Sequence, residues 1–121
     1  RDMGSSTSTE IAKPPTPTQF VMNTIQSNAI VIFGTTWCPY CDRAKALFNH
    51  VHRPYKSIEM DKREDGKEIA EVLYQMTNMR TVPNIFIRGM HIGGYSETVN
   101  LHSKGKLVDL IDNGNTGKDS V

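Results

Sequence analysis

The residues best equipped for chemistry are Cys38 and Cys41, three apart in the stretch Thr35-Thr36-Trp37-Cys38-Pro39-Tyr40-Cys41. They are the only two cysteines in 121 residues. A pair at this spacing can bind metal, form an inert cross-link or exchange disulfides. Beyond the pair, Ala44, Leu47, Phe48 and Val51 recur at the spacing of an amphipathic helix. Pro39 suits a first helical position, where its missing N–H would have had no partner anyway. Cys38 is thereby expected at the N-terminal edge of that helix. Unpaired backbone N–H groups and the helix dipole favour a thiolate there. Thiols so placed commonly fall from a pKa of about 8.5 to roughly 3.5–7.5. Cys41 lies one turn later on the same face, farther from the helix end and less exposed. Cys38 is the expected nucleophile and Cys41 the resolving thiol.

The rival chemistries are weaker. Zinc wants four ligands, usually a second cysteine pair or a well-spaced histidine pair. His50 and His52 are the nearby candidates, and their one-residue gap is shorter than the usual spacing. An inert disulfide of this span would close a very small ring and stabilise little. His91 and His102 stand alone, and the six methionines share no common spacing and read as core filler.

Composition narrows the class. Fourteen Lys and Arg against thirteen Asp and Glu give a net charge of +1. No basic stripe suggests nucleic acid, and the longest apolar run, Ala29 to Phe33, is far too short for a membrane span. Residues 1–16 are rich in Ser, Thr and Pro and are expected to be a disordered tail, as are residues 113–121. Residues 17–112 are left as one domain with one core. The start has no apolar signal region, and it opens on Arg1 as a processed chain would. A lone cysteine pair fits an intracellular protein, cytoplasmic or mitochondrial, better than a secreted framework.

The elements that must hold the pair follow from periodicity. Pro17 after Thr16 predicts a helix to about Asn28. Ala29 to Phe33 reads as a strand covered on both faces. The cysteine helix then runs from Pro39 to about His52 and stops before Pro54. Tyr55 to Met60 alternates as a strand, and Ile69, Val72, Leu73 and Met76 mark a third helix. Asn84 to Gly93 reads as a tight hairpin turning at Gly89-Met90. Ser96 suggests a further helix start, and Lys106 to Ile111 a last helical segment. This order predicts an α/β fold: a mixed sheet with helices on both faces.

Cys38-Pro39-Tyr40-Cys41, Thr81-Val82-Pro83 and Gly93-Gly94-Tyr95-Ser96-Glu97 occur in this order. Together they resemble the active-site, cis-proline and glutathione-holding segments of dithiol glutaredoxins. The resemblance runs from about Phe20 to Ile111. Thioredoxins, with Cys-Gly-Pro-Cys and no Gly-Gly pair, fit less well. The resemblance implies a thioredoxin-like fold, a four-stranded sheet in the order 2-1-3-4. It also implies a glutathione-dependent thiol–disulfide oxidoreductase, with Cys38 attacking and Cys41 resolving.

Glutathione would be the co-substrate, no metal would be required, and the partners would be glutathionylated or disulfide-bonded proteins met by a monomer. The implied glutathione contacts are Thr35, Tyr40, Arg80, Thr81, Val82, Pro83, Gly94, Ser96 and Glu97. The backbone amides of Ser96 and Glu97 would hold the γ-glutamyl carboxylate, with Ser96 as an N-cap the simpler alternative. An alternative that the resemblance also implies is a carrier of a glutathione-ligated [2Fe–2S] cluster.

Three positions depart from the family pattern. Thr35 stands where a Lys is usual, Ala70 where a Gln helps hold the glycyl carboxylate, and Glu97 where Asp is usual. Arg80 is then the remaining cation, and Trp37 beside Cys38 is a further oddity: an exposed Trp there suggests a contact surface, with simple packing the alternative.

Overall fold

A computed structural model of the chain describes residues 13–114. The two expected tails fall mostly outside that range. Helix α1 (Pro17–Ser27) begins where a reciprocal cap closes it. Thr16 Oγ1 accepts from the Gln19 N–H at 3.1 Å, and Gln19 Oε1 accepts from the Thr16 N–H at 2.9 Å. The chain continues as β1 (Ile30–Gly34), α2 (Pro39–His50), β2 (Lys56–Glu59), a 3₁₀ turn at Met60–Lys62, and α3 (Gly66–Thr77). It ends with β3 (Asn84–Ile87), β4 (Met90–Gly93), α4 (Tyr95–Ser103) and α5 (Leu107–Asn113).

The sheet order is β2-β1-β3-β4, the predicted thioredoxin-like arrangement. β1 runs parallel to β2 and antiparallel to β3, and β3 and β4 form the hairpin. Every residue of β1 is buried, as a central strand covered on both faces requires. Alternation then sends its side chains to both faces of the sheet, so the single core expected from chain length is divided into two layers. Val31 and Phe33 face Val21 and Ile25 of α1 and Ile69 and Leu73 of α3. Ile30 and Ile32 face Ala44 and Phe48 of α2 and Leu107, Leu110 and Ile111 of α5.

Element ends differ from the periodic reading where a local backbone device intervenes. α2 stops at His50, and His52 turns the chain at φ 59° ahead of Pro54. The hairpin turns on Arg88 (φ 53°) and Gly89 (φ 78°), two left-handed residues that match strand twist. Arg88 is held there from outside: its Nε donates to the Ile111 carbonyl at 2.7 Å and its Nη2 to the Asp112 carbonyl at 3.1 Å. Arg53 grips the Asp112 carboxylate with two hydrogen bonds, at 2.8 and 2.7 Å. α5 therefore reaches Asn113 and closes on Gly114 at φ 63°.

Gly66 opens α3 directly over the 3₁₀ turn. A Cβ there would lie 2.0 Å from the Met60 carbonyl oxygen, a backbone atom that cannot swing aside. Gly66→Ala should therefore destabilise the protein by about 1–3 kcal/mol through overpacking. The urea unfolding midpoint measures this, and an unchanged midpoint would contradict the close approach.

Candidate active site: a thiol pair at a helix start

β1 ends at the point where the chain must turn into α2, and the cysteines sit at that turn. Cys38 is the N-cap of α2, in extended backbone geometry, and its Sγ accepts a hydrogen bond from the Cys41 N–H at 3.0 Å. The two cysteines are joined as a disulfide with Cα atoms 5.1 Å apart. Cys38 is 7% exposed and Cys41 1%, the expected ranking with both sunk below the surface. Cys41 fits only because β1 ends in glycine: a Cβ on Gly34 would stand 2.6 Å from the Cys41 Sγ.

The loop before Cys38 is tied down from the other side of the parallel strand pair. Asp61, in the 3₁₀ turn after β2, accepts from the Thr36 N–H at 3.0 Å with Oδ1 and from the Thr36 hydroxyl with Oδ2. The Thr36 hydroxyl and amide hold the Asp61 carboxyl below its usual range. Farther along α2, Lys45 Nζ donates to Glu59 Oε2 at 2.7 Å, which raises the Lys45 pKa against its partial burial. Glu59 Oε2 also accepts from Ser57 Oγ at 3.0 Å, while Glu59 Oε1 is buried without a partner.

A groove of about 550 Å³ opens between the first turn of α2, the segment before β3 and the start of α4. Of the nine positions expected to contact glutathione, seven line it: Tyr40, Thr81, Val82, Pro83, Gly94, Ser96 and Glu97. The Val82–Pro83 peptide is cis, as the motif implied. Tyr40 is 54% exposed, its ring 5.7 Å from that of Tyr95 and 5.0 Å from the Arg43 guanidinium carbon.

Thr35 and Arg80 are not among the lining residues. The Arg80 guanidinium lies 3.7 Å over the Tyr74 ring and reaches Glu71 at 3.3 Å, on the outside of α3. Beside it, Ala70 borders a separate small hollow with Met60, Leu73 and Met79. Two lining residues escaped the sequence reading. Tyr95 sits inside the Gly-Gly motif, so its position was a signal; Met79 had none, because a methionine carries no chemistry that sets it apart from core filler. Asp61 also escaped, hidden in a charged run that reads as a solvated loop.

The start of α4 differs from the simpler expectation for Ser96. Gly94 is the N-cap, not Ser96, and the helix begins at Tyr95. Glu97 supplies the cap from inside: its Oε1 accepts from the Gly94 N–H at 2.8 Å and from the Ser96 hydroxyl at 3.3 Å. The Gly94 amide, then the Glu97 amide, keep the Glu97 carboxyl below its usual range. Gly93 is held at φ 123° beside this carboxylate, a conformation that only glycine adopts readily.

The histidines remain apart from the groove. His91 Nε2 pairs with the buried Asn84 Oδ1 at 2.7 Å, and burial lowers its pKa. His50 and His102 meet edge to face at 6.0 Å. Among the described residues, no group of three or more His, Cys, Asp or Glu could hold a metal ion.

The comparisons with known proteins agree with this geometry. The family model described as Glutaredoxin matches residues 30–92. The rice (Oryza sativa) protein named Monothiol glutaredoxin-S6 is 45% identical over 97 residues, spanning 80% of this chain and 74% of that protein. The rat (Rattus norvegicus) protein named Glutaredoxin-2, mitochondrial, is 44% identical over 110 residues, spanning 90% of this chain and 70% of that one. The crystal structure of a buckwheat glutaredoxin–glutathione complex is 42% identical with a TM-score of 0.78, covering 79% of this chain and 87% of that one.

The Glu97 cap carries a pH signature. A carboxyl held below its ordinary value stabilises the fold in full above the unfolded carboxylate range, and loses that effect as pH falls through its folded value. Glu97→Ala should cost about 0.5–1 kcal/mol at pH 7, near the lower end for a helix cap at an exposed site. The gap from wild type should shrink below about pH 4. Urea midpoints at pH 7 and at pH 3 check this; a gap undiminished at pH 3 would show that the charge does not carry the effect.

Proposed function

The chain belongs to the glutaredoxin family of thiol–disulfide oxidoreductases, and from that premise we propose that it uses glutathione to reduce protein–glutathione mixed disulfides and protein disulfides. The observation that carries the proposal is the hydrogen bond from the Cys41 N–H to the Cys38 sulfur at the start of α2. In the reduced enzyme the same N–H meets a charged acceptor. A hydrogen bond to a charged group contributes about 1.5–3 kcal/mol, and the helix dipole adds to it. The thiolate of Cys38 is thereby favoured at neutral pH, and among the described residues no such donor is aimed at the sulfur of Cys41, the resolving residue.

The cycle follows from that difference. The Cys38 thiolate attacks the glutathionyl sulfur of a mixed disulfide. The bond to the protein sulfur breaks, and that sulfur leaves with the electron pair and takes a proton. A second glutathione thiolate then attacks the Cys38-bound sulfur, releasing oxidised glutathione and restoring the Cys38 thiolate. For a protein disulfide, Cys38 forms the mixed disulfide with the protein. Cys41 gives up its proton, displaces the protein thiolate and closes the Cys38–Cys41 disulfide, which two glutathiones reduce. A stabilised thiolate is also a good leaving group, so Cys38 serves both halves of the exchange.

In this reading the groove takes glutathione. Thr81, Val82 and Pro83 pair with its cysteine portion as an added strand would. The Ser96 and Glu97 amides receive the γ-glutamyl carboxylate beside Gly94, whose own amide is taken by Glu97 Oε1. Thr35 and Arg80, which do not line the groove as it stands, are assigned to the glycyl end. Arg80 reaches it by leaving both Glu71 and the Tyr74 ring, exposed contacts worth about 0–1 and about 0.5–1 kcal/mol. The buckwheat relative, crystallised as a glutathione complex, supports the groove's assignment. The reading places the protein as a monomer in the cytoplasm or a mitochondrion, the latter supported by the name of the rat relative.

Substitution of each cysteine separates the steps. Cys38→Ser should abolish all thiol transfer. Cys41→Ser should still reduce glutathione mixed disulfides while losing protein disulfides that need a resolving thiol. A glutathione-coupled assay on both substrate types reads the split; equal loss of both activities in Cys41→Ser would overturn the monothiol route.

A further inference from the structure

Trp37 is 88% exposed, the most exposed large apolar side chain among the described residues, and it precedes the buried Cys38 in the chain. Its backbone is not free to move away. On one side, Thr36 is fastened to Asp61 through both its amide and its hydroxyl. On the other, Cys38 caps α2 and Pro39 occupies the first helical position. An indole on a backbone fixed at both ends is held at the rim, and its two side-chain torsions are what remains to be ordered on contact. Tryptophan is also the side chain most enriched at the energetic centres of protein interfaces.

What can occupy this anchor is restricted by Cys38 itself. At 7% exposure its sulfur is reached only by a molecule pressed against its rim. A glutathionylated protein brings two halves to that sulfur. The groove lined by Tyr40, Val82 and Gly94 takes the glutathione half in the reading given above, and Trp37 is not part of it. The rim residues Thr36, Trp37 and Pro39, all exposed, are left for the protein half.

Resting on that reading, we propose that Trp37 is the contact residue for the protein half of a glutathionylated substrate, and that it selects segments with an apolar side chain beside the modified cysteine. The chemistry of transfer is unchanged: Cys38 bonds to the glutathionyl sulfur, and the protein sulfur leaves with the electron pair and is protonated. Trp37 acts by holding the leaving segment while that bond breaks.

The test uses two glutathionylated peptides that differ only in a leucine or a serine next to the modified cysteine, with the glutathione–mercaptoethanol mixed disulfide as the small substrate. Wild type should favour the leucine peptide by threefold to tenfold in kcat/KM, which is about 0.6–1.4 kcal/mol. That corresponds to burying roughly 25–55 Å² of apolar surface. Trp37→Ala should treat the two peptides alike, with the serine-peptide rate within about twofold of wild type, and Trp37→Phe should keep most of the preference.

Retention of the leucine preference in Trp37→Ala would overturn the proposal. So would an equal slowing of all three substrates, because Trp37 would then be acting on Cys38 itself. If wild type turns over the small mixed disulfide but shows no leucine preference, this inference fails alone. If wild type does not turn over the small mixed disulfide, the functional reading fails and takes this inference with it.

Discussion

The proposed chemistry of this protein depends on one hydrogen bond, from the amide of Cys41 to the sulfur of Cys38. An N-cap normally offers an oxygen to the orphan amides of a first helical turn. Here the cap is a sulfur, so the donor that begins the helix is the same donor that stabilises the thiolate in the proposed mechanism. Structure and reactivity share one contact. Much of the surrounding architecture keeps that contact in place. β1 must end in Gly34 to let Cys41 come close, and β1 itself is fixed by being the central strand between β2 and β3. Pro39 adds a first helical residue with no amide of its own to satisfy.

Two loops from different parts of the chain converge on this junction. Asp61 follows β2 and holds Thr36 by its backbone and side chain, so the parallel pairing of β1 and β2 also fixes the approach to Cys38. Lys45 and Glu59 repeat the connection one layer deeper, between α2 and the end of β2. Gly66 lets α3 start close over the turn that carries Asp61. A change at any of these positions acts on the active loop without touching a sulfur.

Much of this was legible in the sequence, and the reasons differ by residue. Ala29 to Phe33 was readable because a fully buried central strand must be apolar at every position; the structure moves it by one residue, to Ile30–Gly34, because Gly34 still pairs with Glu59. The cysteine helix was readable from its stripe and from Pro39. The start of α4 was not, because the usual signal is a Ser or Thr at the N-cap, and here the capping oxygen comes from Glu97, three residues into the turn. The orientation of Arg80 was not legible either. Its partners, Tyr74 and Glu71, lie on the neighbouring helix α3, and nothing in the local sequence indicates that the guanidinium turns toward them. Met79 was invisible for a different reason: a flexible apolar side chain has no spacing rule that marks it as a groove wall.

The departures from the family pattern share a physical theme. Thr35 carries no charge where the family has a lysine, and Arg80 is drawn outward by a ring and a carboxylate. Among the described residues, side-chain cations therefore contribute little to the lining of the groove. What remains are two helix starts, α2 at the thiol pair and α4 at the far wall, each presenting amides and the positive end of a dipole. Such donors are short in range and fixed by the backbone, whereas a lysine acts as a mobile charge that salt screens over a Debye length of about 8–10 Å. They also act only on an anion that sits directly on them. A site built this way discriminates by geometry more than by charge. Glu97 sharpens that discrimination, because its own carboxylate already caps Gly94, and an incoming carboxylate must find the remaining amides of the same turn.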